Sequence, residues 1–177
     1  MLVLTLGSLF SRAQTGVYTI DETSSDVQFK VTHLGAFKVD GDFKSYQGDF
    51  QFKDGVLQSL KAIFDVASIN TDNEERDDIL LTEPYFDISV FPSIVFKADT
   101  IDTVNDELVL SGSLSIKGQE RPLSFPILFE YDSQEERIIL KGETQIKRKD
   151  FNLVFGSMNG LIGNKVNITV EIVAVKS

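Results

Sequence analysis

The chain has a single histidine, His33, and no cysteine among its 177 residues. A metal centre of the usual multi-histidine or thiolate kind is therefore ruled out in practice. A thiol nucleophile is absent, and one histidine without a serine partner motif does not make a catalytic triad. The carboxylates are plentiful, but most fall in turns or at outward strand positions, where water solvates them. No glycine-rich phosphate loop follows a strand and opens a helix; Gly156, Gly160 and Gly163 read instead as loop residues giving conformational freedom near the end of a fold. The polar residues that could still do chemistry are few. His33 shares a face with Phe29 and Val31, so it is either a core histidine satisfied by one or two hydrogen bonds or a contact to a ligand headgroup, with a solvent-facing position as the third option. Arg76 and Asp77 open a short helix-like stretch, where they form an ion pair pinning it in place or meet a headgroup. Arg148 and Asp150 fall on one strand face, as an opposite-charge pair stabilising the end of a sheet.

These residues are carried by strands. Val27, Phe29, Val31 and His33 alternate with Gln28, Lys30 and Thr32, and the same period of two runs through Leu60–Ala62–Phe64–Val66, through Leu108, Leu110, Leu114 and Ile116, and from Val166 to Ala174. A period of two marks strands with one wet and one buried face, and such strands form antiparallel sheets. The pattern predicts strands at 17–21, 25–34, 37–43, 47–53 (ended by the Asp54-Gly55 turn signal), 59–68, 93–101, 107–117, 122–131, 137–150 and 164–175. One insert at 70–81 has helical character, with Thr71 or Asp72 as its N-cap, and Pro84 and Pro92 bracket an irregular stretch after it. Pro122 and Pro126 remove two ladder donors from one strand, which predicts a bulge or a seam there.

Long antiparallel strands with one insert suggest an all-β fold, an eight-stranded up-and-down barrel that leaves no edges. A barrel of that size holds either a packed side-chain core or one small ligand. With 14 Phe, no Trp and a net charge of -10, its interior is bulky and chemically plain. The acidic balance argues against nucleic acid and against an anionic membrane surface. The inward positions expected to line a pore are Val27, Phe29 and Val31; Phe43; Phe64 and Val66; Phe96; Leu110 and Leu114; and Phe125, Ile127 and Phe129. His33 and Arg76 are expected at its mouth. Burying about ten methylene-like carbons contributes on the order of 8 kcal/mol before association costs, so a chain-like ligand can bind with few polar contacts.

Residues 1–10 are an apolar run containing Leu2, Val3, Leu4, Leu6, Leu9 and Phe10, too short to span a bilayer. Small residues at Ser11 and Ala13 fit a signal-peptidase site that leaves Gln14 as the mature start. The usual Lys or Arg ahead of the apolar run is missing. The reading is a signal peptide over 1–13 and a single domain over 14–177; the alternative is an apolar tail on a cytoplasmic protein.

Specific strings then match a family. Tyr18-Thr19-Ile20-Asp21, Ser25-Asp26-Val27-Gln28-Phe29, His33-Leu34-Gly35 and Val39-Asp40-Gly41-Asp42-Phe43 resemble the opening of the YceI-like family of polyisoprenoid-binding proteins. The resemblance continues through Ser68-Ile69-Asn70-Thr71, Arg76-Asp77, Tyr85-Phe86-Asp87, Phe91-Pro92 and Gly112–Gly118, and closes with Arg121-Pro122, Arg148-Lys149-Asp150-Phe151 and Val166–Val170. It implies an extended, lipocalin-like barrel that holds a polyisoprenoid, a quinone or a similar amphiphile in its pore, in the bacterial periplasm. The residues themselves lead to the expectation of no catalysis, no other cofactor, no stable membrane insertion, and a monomer or homodimer. Two positions depart from the pattern: Ile79 stands where the family commonly has His, and Asn152 where it commonly has Gly. The competing reading is a side-chain-filled barrel acting as an interaction or stress-response module.

Overall fold

The computed structural model describes residues 15–33, 35, 37–155 and 160–177; the expected signal peptide over 1–13 lies outside them. The chain forms a closed eight-stranded antiparallel barrel with a single short helix. Eleven hydrogen-bonded segments build the eight staves. β1 (Gly16–Ile20) and β2 (Asp26–His33) are one stave, because both run along β11 (Ile162–Lys176) in continuous order, from Tyr18 opposite Lys176 to His33 opposite Ile162. β3 (Phe37–Phe43) and β4 (Tyr46–Lys53) form the second stave, and β5 (Val56–Asp65) with the two-residue β6 (Ile69–Asn70) the third. β7 (Ser93–Val104), β8 (Glu107–Ile116), β9 (Gln119–Asp132) and β10 (Arg137–Lys147) follow in sequence order, and β11 closes the ring onto β1 and β2.

Local chemistry explains the joints. The Asp54-Gly55, Asn105-Asp106 and Lys117-Gly118 pairs all have positive φ, the conformation that two-residue hairpin turns need to match the twist of their strands. The first and third staves break at 3-10 turns over Glu22–Ser24 and Val66–Ser68, where Asp21 and Asp65 accept from the backbone N–H two residues on. Residue 66 was expected on a continuous strand; the Asp65 cap ends the ladder there instead.

The expected seam exists. The β9–β10 ladder runs from Asp132 opposite Arg137 to Ile127 opposite Gly142 and goes no further. Pro122 and Pro126 both lie past its last rung, so their missing N–H groups take nothing from that ladder. The β8–β9 register on the other side is unbroken. The strand expected to reach 150 stops at Lys147, and Arg148–Phe151 forms a 3-10 turn whose last residue is followed by Asn152 at φ 56. Asn suits that left-handed C-cap, because it tolerates this conformation next best after Gly.

One end of the barrel is solid. Tyr18 meets Phe52 and Tyr131 edge-on, with ring centroids at 6.0 and 6.1 Å, and Phe52 also packs on Phe129 at 5.7 Å. Phe50, Leu57, Leu60, Leu110, Ile127, Ile138, Leu140 and Ala174 complete this plug, all buried. Here the side chains alone fill the bore.

Candidate functional site: a half-barrel cavity

The other half of the barrel is hollow. A cavity of about 490 Å³ runs from the middle of the bore to the end where the β2–β3, β8–β9 and β10–β11 connections lie. It stops at one level all round. Phe125 lines it but Ile127 does not, Leu114 but not Leu110, Phe96 but not Ala98, Thr144 but not Gly142, and Val170 but not Ile172. Phe125 is part of the floor. It packs on Phe96 at 6.0 Å and lies over Gly142, where a Cβ would come within 2.9 Å of its ring.

Of the positions expected to line a pore, Val27, Phe29, Val31, Phe43, Phe64, Phe96, Leu114 and Phe125 border this cavity. Val66, Leu110, Ile127 and Phe129 do not. The last three point inward but belong to the plug, and Val66 is fully buried in its 3-10 turn with its N–H donated to the Pro92 carbonyl. Alternation places a side chain inside; it does not say which rungs are filled.

The mouth is built from the irregular segments. α1 (Glu74–Leu81) begins at Asn73, whose side chain accepts from the Arg76 N–H at 2.8 Å. Neither Thr71 nor Asp72 is the N-cap. Asp72 sits at φ 58, and Thr71 is occupied otherwise. Its hydroxyl accepts from Arg76 Nε at 2.7 Å and donates to Asp77 Oδ1 at 2.5 Å. Its carbonyl accepts from Arg76 Nη2 at 2.6 Å, and its N–H donates to Asp77 Oδ2 at 3.1 Å. The expected direct Arg76–Asp77 ion pair is replaced by this bridge through Thr71, which is 4% exposed. The helix is still pinned, and Arg76 borders the cavity. Its remaining terminal nitrogen, Nη1, has no protein hydrogen-bond partner among the described residues.

After α1, Lys117 Nζ donates to the Glu83 and Tyr85 carbonyls at 2.9 and 2.5 Å, holding Tyr85 and Phe86 over the opening. Phe86 meets Phe43 at 6.5 Å, and Tyr85 meets Phe155 at 4.9 Å. Arg148 is not paired across a strand face with the exposed Asp150. It turns inward, 1% exposed, and donates to the carbonyls of Leu153, Ile162 and Gly163 at 2.5, 2.8 and 2.9 Å. Its guanidinium lies 4.6 Å from the Phe155 ring centroid, and burial holds its pKa below the usual arginine value. Gly163 lies in β11, 3.2 Å by its would-be Cβ from the Thr32 carbonyl; it serves close packing and an acceptor rather than loop freedom. Gly156 lies outside the described residues.

His33 is half-buried on the last rung of β2, between Ile162 and Phe37, and borders the cavity at its rim. Ile79 also borders the rim and is 45% exposed; there the chain offers a methyl surface. The ionisable side chains lining the cavity are His33, Arg76, Tyr85 and Arg148, with no carboxylate among the described lining residues. In a chain of net charge -10 that exclusion is a property of the site. Sequence reading did not find Tyr85, Phe86, Leu153 and Phe155 as lining residues, because they lie outside any period; their signal was an aromatic cluster between two prolines and the Arg148–Phe151 string.

Residues 18–174 match the model of the YceI-like domain. The chain belongs to the YceI-like family. YceI of Salmonella paratyphi B is 27% identical over 164 residues, covering 86% of each chain. Burkholderia cenocepacia BcnA superposes with a TM-score of 0.78 at 22% identity, over 88% of this chain and 99% of its own. A polyisoprenoid-binding domain from Saccharophagus degradans, implicated in plant cell wall breakdown, superposes at 0.76 with 16% identity, over 90% and 98%. These structural likenesses establish the YceI-like barrel.

Proposed function

We propose that this YceI-like protein binds and carries an amphiphilic lipid, with its apolar chain in the half-barrel cavity and its headgroup at the rim, and that it does so without catalysis. The observation that carries the reading is the cavity itself. A space of about 490 Å³ walled by Phe, Ile, Leu and Val lies in the usual range for small-molecule sites, whereas a module filled by its own side chains would close it as the plug end is closed. Membership of the family and the named ligand class of the Saccharophagus domain support an isoprenoid or a similar chain.

The rim favours a headgroup that accepts hydrogen bonds, such as a quinone, amide, phosphate or carboxylate oxygen. Arg76 holds α1 through Nε and Nη2 and keeps Nη1 for such a contact, and His33 sits on the same rim. Among the described lining residues no acid and base stand side by side. We place the mature chain from Gln14 onward in the bacterial periplasm, as the apolar leader over 1–13 suggests; the relatives named above are bacterial. Organic extraction of freshly purified protein followed by mass spectrometry tests the reading. It should release an apolar molecule of a few hundred daltons, and protein that emerges empty and binds no lipid on reconstitution would refute it.

A further inference from the structure

The floor of the cavity sets the length of chain this barrel can enclose, and we propose that the ligand is an acyl or prenyl lipid with about 16 buried carbons, the size of three isoprene units rather than of a long polyprenyl chain. This rests on the lipid-binding reading above and goes beyond it. A water-sized group takes about 30 Å³ of a condensed phase, and a methylene is close to that size, so about 490 Å³ seats about 16 carbon atoms. The floor is a level ring and not a gap between side chains. Phe125 is wedged between Phe96 and the bare backbone of Gly142, and beneath it Leu110 and Ile127 are 1% and 6% exposed. Below them the Phe52, Phe129, Tyr18 and Tyr131 rings close the bore. A longer chain cannot thread through, so its remainder leaves by the mouth and gains nothing from the pore wall.

The test is displacement of an environment-sensitive fluorescent probe by a series of straight-chain alkanols, from about eight to about twenty-four carbons. Affinity should rise about fourfold per methylene and level off near 16 carbons. Phe125→Ala removes the floor ring, about 100 Å³, and should move the break to longer chains by about three carbons. Leu114→Phe projects a ring into the cavity just above that level and should move it to shorter ones. The two variants together guard against a single variant that fails to fold. A rise that continues without a break beyond about 20 carbons, or a break that neither folded variant moves, overturns the length limit while leaving lipid binding intact. Probe and alkanols that bind at no length defeat the lipid-binding reading itself.

Discussion

Replacing Arg148 by Met removes the main clamp between the 148–155 segment and the start of β11 while keeping a long apolar stem. Three charge-assisted hydrogen bonds to the Leu153, Ile162 and Gly163 carbonyls are lost, each of a kind that contributes about 1.5–3 kcal/mol. Stacking on Phe155 adds about 0.5–2 kcal/mol. Against this stands the cost of holding a guanidinium in a buried site, which the variant recovers and which the lowered pKa of Arg148 reflects. The carbonyls stay behind without their donor, so the balance favours loss, and we expect Arg148→Met to destabilise the fold by about 3–5 kcal/mol. Arg148→Lys should recover less than half of that, because one ammonium cannot reach three carbonyls spread over two segments. Urea unfolding with both variants gives the numbers, and the slope should stay unchanged, because the same surface is exposed on unfolding. A loss below about 1 kcal/mol in Arg148→Met would refute the clamp and assign the closure of this end to Phe155 and Leu153 alone.

Burial, helped by the charge of Asp26, pushes the Tyr46 phenol up to about 12. A pKa raised on folding contributes stability that is present below the unfolded value of about 10 and is lost as pH rises toward 12. Unfolding free energy should therefore fall over that window, and Tyr46→Phe should flatten the decline. Tyr131 Oη is buried with no hydrogen-bond partner among the described residues; Tyr131→Phe keeps the ring against Tyr18 and should stabilise the protein by about 1 kcal/mol, read from the denaturation midpoint. Thr71→Val removes the hydroxyl bridge between Arg76 and Asp77 and should cost about 2–3 kcal/mol. Its signature is faster amide exchange in α1 than in the plug strands.

The strands were legible because each stave buries one face for its whole length, and Val27 to His33 or Val166 to Val170 then writes the period directly into the sequence. The barrel followed from the strand count, and the seam from Pro122 and Pro126. Two things could not be read that way. The division of the bore into plug and cavity depends on volumes summed across eight strands at each rung, so Leu114 and Leu110, two rungs apart on one strand, look alike in sequence and end on opposite sides of the floor. The lid residues Tyr85, Phe86 and Phe155 belong to irregular segments held by turn bonds and by side-chain donors, Lys117 or Arg148, and such contacts have no period. Arg148 was misplaced for a related reason. Alternation from Leu140 through Thr144 and Ile146 already turns it inward; what has no period is that its partners are the Leu153, Ile162 and Gly163 carbonyls and not Asp150.

The plug explains how the barrel can remain hollow. A hole cut into a dense core costs about 24 cal/mol per Å³, so a dry void of about 490 Å³ counted that way would cost about 12 kcal/mol, as much as the whole stability of many domains. The chain meets this cost by separating the tasks along the same strands. Tyr18, Phe50, Phe52, Leu110 and Ile138, all nearly inaccessible, give the lower half the packing of an ordinary core. β11 then carries the ladder unbroken along β10 from Val175 to Lys165, so the wall of the hollow half is held by backbone bonds to strands anchored in the plug. A ligand entering the cavity replaces a missing core, and its stabilisation should fall on the mouth: on α1, which buries none of its own residues, and on the half-buried Tyr85–Phe86 turn.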